Sequence, residues 1–216
     1  MIKKYIKFFL IFVFMLSICN VQAAVLNKEL QQAINNNNVA MVQKLIERGI
    51  DINAKSKGHL TPLMYAVISG NYDIVKLLID NGADVNARGM YNNTALMLAA
   101  GRDNLKITEL LISNNAEINA QNSSSDTPLK YAVIKHNDDA VKLLIKSGAD
   151  LNKQDNGGVT VLMDAIVFED VEITELLLKS GADINIKDND GYTALKYAEE
   201  VEIKRIIELL NEYGTK

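Results

Sequence analysis

Two histidines, one cysteine and two acidic, glycine-containing loops are the residues of this 216-residue chain whose types could support metal ligation, nucleophilic attack or acid–base chemistry. His59 and His136 stand far apart, and no HExxH, GxSxG or GxxxxGK[ST] stretch occurs. The loops "DNGG" (155–158) and "DNDG" (188–191) invite a calcium reading. Placing Gly191 at the sixth position of a calcium-binding loop puts Ile186 first and Tyr197 twelfth, where carboxylates are needed. Turns held by Asx side chains are expected there instead. Asn92-Asn93-Thr94 and Asn122-Ser123-Ser124 have the form of glycosylation sequons, which matter only in a eukaryotic host. No catalytic, cofactor-binding or metal-ligating residue is assigned, and neither enzyme activity nor a cofactor is expected.

The lone Cys19 belongs to a segment with the features of an export signal. Lys3, Lys4 and Lys7 form a basic start, Phe8 to Ile18 is apolar but for Ser17, and Val21-Gln22-Ala23 supplies small residues before a cleavage point at Ala24. The apolar run is shorter than the ~20 residues that span a bilayer, which argues against a retained anchor. Leu16-Ser17-Ile18-Cys19 resembles a lipoprotein box, although Ile18 stands where that box requires a small residue. Lipidation at Cys19 and an uncleaved anchor are the alternatives to cleavage. Loss of residues 1–23 removes the only thiol, and so any disulfide. It also removes three lysines and no acid, taking the net charge from −4 to −7. With the remaining Lys and Arg interspersed among Asp and Glu, the charge argues against nucleic acid or anionic lipid as a partner, and no membrane binding by the mature domain is expected unless it is lipidated. The expected location is the periplasm or the extracellular space.

What must position any site is a repeat. "KSGADLN" at 146–152 returns as "KSGADIN" at 179–185, and the register holds throughout: Thr61, Thr94, Thr127, Thr160 and Thr193 are evenly spaced. Each is followed two residues on by Leu63, Leu96, Leu129, Leu162 or Leu195, and five residues on by Ala66, Ala99, Ala132, Ala165 or Ala198. A hydroxyl followed by Pro62 or Pro128 is how a helix starts. The next apolar set, such as Ile74, Leu77 and Leu78, has the i, i+3, i+4 spacing of one buried helical face. Gly70-Asn71 leaves room only for a tight turn, so the two helices form an antiparallel hairpin. Gly49, Gly82, Asn115, Gly148, Gly181 and Gly214 form the column expected to end each second helix in a left-handed residue.

The stretches "TPLMYAVISGNYDIVKLLIDNGADVNA" (61–87) and "TPLKYAVIKHNDDAVKLLIKSGADLNK" (127–153) resemble the ankyrin repeat family. The resemblance implies an all-α ankyrin solenoid: an N-terminal capping repeat at 24–60, full repeats at 61–93, 94–126, 127–159 and 160–192, and a truncated C-terminal cap at 193–216. The family's histidine three residues after the threonine is replaced by Met64, Met97, Lys130, Met163 and Lys196, which puts its hydrogen-bond network in doubt. Glycine two residues before the threonine appears only as Gly158 and Gly191, so the fingers at His59, Asn92 and Ser125 are expected to be less regular. Asp164 breaks a column of Tyr65, Leu98, Tyr131 and Tyr197; with no second carboxylate or histidine placed to cooperate, it reads as a partner-contact or edge position.

The resemblance also implies a binding module, its partner a protein held by the first-helix ends and the fingers, and a monomer. Half of the first-helix-end positions are Ile, Val or Phe although stacking does not need them so. Interfaces favour aromatic and arginine anchors. The candidate contact residues are therefore Ile68, Arg102, Ile134, Lys135, Val167 and Phe168 on helix ends, with Met90, Tyr91 and Tyr192 on fingers. A membrane-tethered scaffold is the alternative.

Overall fold

The computed structural model describes residues 27–214. The proposed export segment, 1–23, lies outside the described residues. Two compact units divide the chain at Asp84–Val85. The first contains α1 (27–35), α2 (Val39–Glu47), α3 (Pro62–Ser69) and α4 (Tyr72–Asp80). The second contains α5 (Ala95–Ala100), α6 (Leu105–Ser113), α7 (Pro128–Ile134), α8 (Asp138–Lys146), α9 (Val161–Val167), α10 (Val171–Lys179), α11 (Ala194–Val201) and α12 (Lys204–Gly214). Among the described residues the β structure is one isolated bridge, Gln154 to Thr160. The fold is the all-α ankyrin type that the sequence implies.

Four of the five threonines cap the helices they precede, while the Thr193 side chain makes no capping bond to α11. Thr61, Thr94, Thr127 and Thr160 accept, through their hydroxyls, the amide three residues on. A second capping column was not read from the sequence: Asn38, Asn71, Asn104, Asn137 and Asp170 do the same for α2, α4, α6, α8 and α10. Where the family has histidine, the Met97 and Met163 sulfurs accept from the backbone of Thr94 and Thr160, closing a reciprocal box. The network is altered there rather than lost.

In the first unit α3 pairs with α4, and α2 packs on α4. Leu30, Ile34, Leu45, Leu63, Ile74 and Leu78 are fully buried. In the second unit α5, α7, α9 and α11 pack in succession, each against its own second helix, and α6 meets α8 as α10 meets α12. Fully burying each such leucine or isoleucine contributes about 1.5–3 kcal/mol, roughly what ordering one or two residues costs, so no single pair is expected to hold by itself.

Three positions need comment against the column pattern. The backbone two residues before each threonine is uniform: His59, Asn92 and Ser125 adopt φ of 58°, 59° and 63°, the same left-handed region as Gly158 and Gly191, and irregularity is confined to the 3-10 turn Met90–Asn92. Polar short side chains tolerate this region, so the column keeps its shape without glycine. Gly214, in contrast, lies inside α12 and is not a left-handed terminus. Finally, Leu195 is 37% exposed, unlike its column mates, because it falls in the last repeat and none follows to cover it.

Candidate functional site

The polar stretches between helix pairs are stapled from one repeat to the next. In the first unit the Asn53 amide donates to the Gly82 carbonyl, and its oxygen accepts from the Asp84 backbone at 2.8 Å. The second unit repeats this bridge through Asn86 to Asn115 and Glu117, and through Asn119 to Gly148 and Asp150. Gln121 and Gln154 each donate to their own finger and to the next repeat's backbone. Such bonds make the fingers a rigid ridge. Gly158 is needed there for a second reason beside its φ: a Cβ would stand 2.7 Å from the Asn189 backbone nitrogen.

Asx turns shape the tips. Asp155 Oδ1 accepts from the amides of Gly157 and Val159, and Asp188 Oδ1 from those of Asp190 and Tyr192. The turns expected at "DNGG" and "DNDG" are thus present. Asn122 of the second sequon is drawn inward, its amide donating to Asn93 Oδ1 and Tyr131 Oη.

Asp164 is not an edge position. Lys130 Nζ lies 2.7 Å from Asp164 Oδ2 and 2.8 Å from Asp155 Oδ2, and all three side chains are largely buried. Asp155 accepts an aligned hydrogen bond, whereas Asp164 Oδ2 is held by charge without hydrogen-bond geometry. Burial works against the Lys130 ammonium, but the Asp164 charge and the bonds to both carboxylates outweigh it and hold its pKa above the ordinary lysine value. Burial raises the Asp164 carboxyl, an effect the Lys130 charge only partly offsets. Burial raises Asp126 too. Asp155 is lowered overall, since the Lys130 bond and the Val159 and Gly157 amides overcome its burial. A second carboxylate does accompany Asp164, across a repeat boundary that sequence spacing does not reveal.

That cluster is an ion-paired support for the finger. In the sister repeats a tyrosine does the same job: Tyr197 Oη donates to Asp188 Oδ2 at 2.6 Å, and Tyr65 Oη to Ser56 Oγ. In the repeat that has Asp164 instead, Lys130 of the preceding repeat supplies the donor.

The candidate contact residues fall into three sets. Ile68, in the first unit, is half-buried on α3. Arg102, Lys135, Val167 and Phe168 are exposed at the ends of α5, α7 and α9, and Ile134 is half-buried beside them. The Phe168 and His136 rings meet edge to face at 5.3 Å, and Arg102, Lys135 and His136 line one polar cleft of about 450 Å³. Lys135 packs across Gly101, its Cγ standing 3.4 Å from where a glycine Cβ would be. Met90, Tyr91 and Tyr192 are exposed on fingers of the same unit. His136 and His59 are both exposed and left-handed, at φ of 52° and 58°.

A family model described as ankyrin repeats (3 copies) matches residues 10–89, 88–155 and 137–216. Among solved structures, an ankyrin repeat domain from Acinetobacter baumannii AYE is similar, with a TM-score of 0.79 and 29% identity over 86% of this chain and 97% of that one. No curated protein matches.

Proposed function

Because this chain belongs to the ankyrin repeat family, whose members generally mediate protein–protein contacts, we propose that it is a non-catalytic binding module that captures a partner protein at its first-helix ends and fingers. The observation that carries this reading is the exposure of Val167 at 45% and Phe168 at 38% at the end of α9. Helix stacking buries Leu162, Ala165 and Ile166 of that helix and makes no use of these two. The Phe168 ring continues through His136 into the cleft that bears Arg102 and Lys135. Aromatic and arginine side chains, here Phe168 and Arg102 at the two ends of this run, are the anchor types that interfaces favour.

The proposed setting is the cell envelope or the extracellular space, after cleavage before Ala24. The order of lysines, apolar run and Val21-Gln22-Ala23 supports it. N-terminal sequencing of the native protein tests this: Met1 refutes cleavage, and an acylated Cys19 supports the tethered scaffold instead.

Affinity capture of a partner by the mature chain, followed by titration against Arg102→Ala/Phe168→Ala, tests the binding reading. At least about a tenfold loss of affinity with an unchanged melting temperature is expected. Equal affinity for both forms contradicts it.

A further inference from the structure

A groove of about 570 Å³ opens in the first unit between the start of α1, the finger at 54–60 and the start of α3. That volume is in the range that ligand sites occupy. Its base is apolar: Leu30, Ile34 and Pro62 are buried there, and Leu60 and Tyr65 stand half-buried along the wall. Its rim is cationic. Lys28, Lys55 and Lys57 line it, all three are exposed, and none has a carboxylate partner among the described residues. The acids closest in sequence are engaged elsewhere, Glu29 with Arg48 at 3.8 Å and Asp51 with the Asn53 amide at 3.0 Å. Residues 54–60, AKSKGHL, contain no acid, so a chain of net charge −4 carries a local positive patch here.

The finger behind the groove also has backbone groups to give. In the second unit three fingers are each tied to the one before through the amide one residue past the finger's start: Ser123 donates to the Tyr91 carbonyl at 2.8 Å, Asn156 to Ser124 at 3.0 Å and Asn189 to Gly157 at 3.0 Å. Lys57 stands in that column, and its amide has no acceptor among the described residues. The Gly58 amide is open as well, because Ser56 Oγ takes only the Leu60 amide, where Asp155 and Asp188 each take two. Ser56 Oγ accepts from the Tyr65 hydroxyl too, at 3.1 Å, which leaves its own proton to donate. A finger in this register ahead of Lys57 falls at 23–27, of which Asn27 alone is described.

We propose that this groove is a second binding site, using none of the contact residues named above, and that its occupant is an extended acidic segment of a partner protein, laid against the first finger as a preceding finger is laid against the others. An extended chain offers carbonyls along one edge to the Lys57 and Gly58 amides. Its side chains alternate, so apolar residues reach Leu30, Leu60 and Tyr65 while the carboxylates between them meet the lysines at the rim. Those lysines select acidic over basic segments and hasten encounter, and they make binding sensitive to salt.

The test is a titration of the isotope-labelled mature chain with acetyl-Asp-Leu-Asp-Leu-Asp amide, followed by amide NMR. Saturable shifts at Lys57 and Gly58 are expected, with affinity falling at least about fivefold between about 50 mM and 500 mM salt. The same peptide with Asn in place of Asp is expected to bind at least about tenfold more weakly, and so is the acidic peptide to Lys28→Gln/Lys57→Gln. Both lysines are exposed, so that variant is expected to melt as wild type does. Arg102→Ala/Phe168→Ala is expected to bind the peptide unchanged, which lets this proposal and the helix-end reading fail separately. Laurate is titrated in parallel. Shifts at Lys57 and Gly58 from laurate and none from the peptide assign the groove to a lipid carboxylate and overturn the proposal. No shifts there from either probe, which leaves the groove to the chain's own residues before Asn27, overturn it too. So do equal binding of the Asn peptide, equal binding by the lysine variant, indifference to salt, or loss of binding in Arg102→Ala/Phe168→Ala.

Discussion

Lys130 Nζ stands 2.7 Å from Asp164 Oδ2, and the two residues are matched departures from their own columns. Lys130 replaces the methionine of Met64, Met97 and Met163, and Asp164 replaces the tyrosine of Tyr65, Tyr131 and Tyr197. Removing one partner of a buried pair strands the other charge, whereas removing both together removes the need for pairing. Asp155 complicates the exchange, since it also takes its charge from Lys130. A tyrosine at 164 restores to Asp155 the donor that Tyr197 gives Asp188.

Lys130→Met alone is therefore expected to destabilise the protein by about 3–5 kcal/mol. Lys130→Met with Asp164→Tyr is expected to recover most of that loss. Urea unfolding of the four members of this double-mutant cycle measures it, and a purely additive cycle contradicts the pairing.

The cluster also sets a pH dependence. Asp164 is raised by burial, so its contribution is fully present below the unfolded aspartate value of about 3.9 and is lost as pH rises through its higher folded value. Asp155, lowered overall, acts in the opposite sense: its contribution is present above about 3.9 and is lost as pH falls through its folded value. Asp164→Asn removes only the first effect. Relative to that variant, the wild type is expected to gain stability as pH falls from about 7 toward about 4. Unfolding free energies measured at both ends check the sign.

Thr174 Oγ1 is buried on α10 and has no hydrogen-bond partner among the described residues, while the equivalent Val75 and Val141 are simply packed. Thr174→Val is expected to stabilise the chain by about 1 kcal/mol, read as a rise in the urea midpoint with an unchanged slope.

The leucine pairs on second helices are not equivalent. Leu144 is fully buried and Leu143 only half-buried. Leu144→Ala is expected to cost about 2–5 kcal/mol and Leu143→Ala distinctly less, by denaturant unfolding followed by circular dichroism.

These residues also show how far the sequence could be read. The repeat was legible because Thr, Leu, Ala and Gly recur in fixed columns, and each column has a local cause: a cap, a buried face or a left-handed turn. Local causes do not reveal what one repeat does to the next. The Asn86 and Asn119 bridges and the Lys130 pairing with Asp155 and Asp164 join residues 25 to 34 positions apart, and no short-range pattern announces them. The column 38, 71, 104, 137, 170 was visible as Asn and Asp before each second helix, and could have been read as caps. The left-handed backbone at His59, Asn92 and Ser125 was not legible because glycine stands in that column only at Gly158 and Gly191, although Asn, Ser and His also accept the region at some cost. Asp164 misled for a related reason: its partner lies in the preceding repeat.

A partner held at the first-helix ends and the fingers, as proposed, covers the backbone amides there. Amide hydrogen exchange of the mature chain, with and without the captured partner, tests it most directly. Binding is expected to slow exchange at residues 90–92, 101–103, 134–136 and 167–169, with α6, α8 and α10 unchanged. Slowed exchange along the exposed sides of α6, α8 and α10, with the fingers and first-helix ends unaffected, contradicts it.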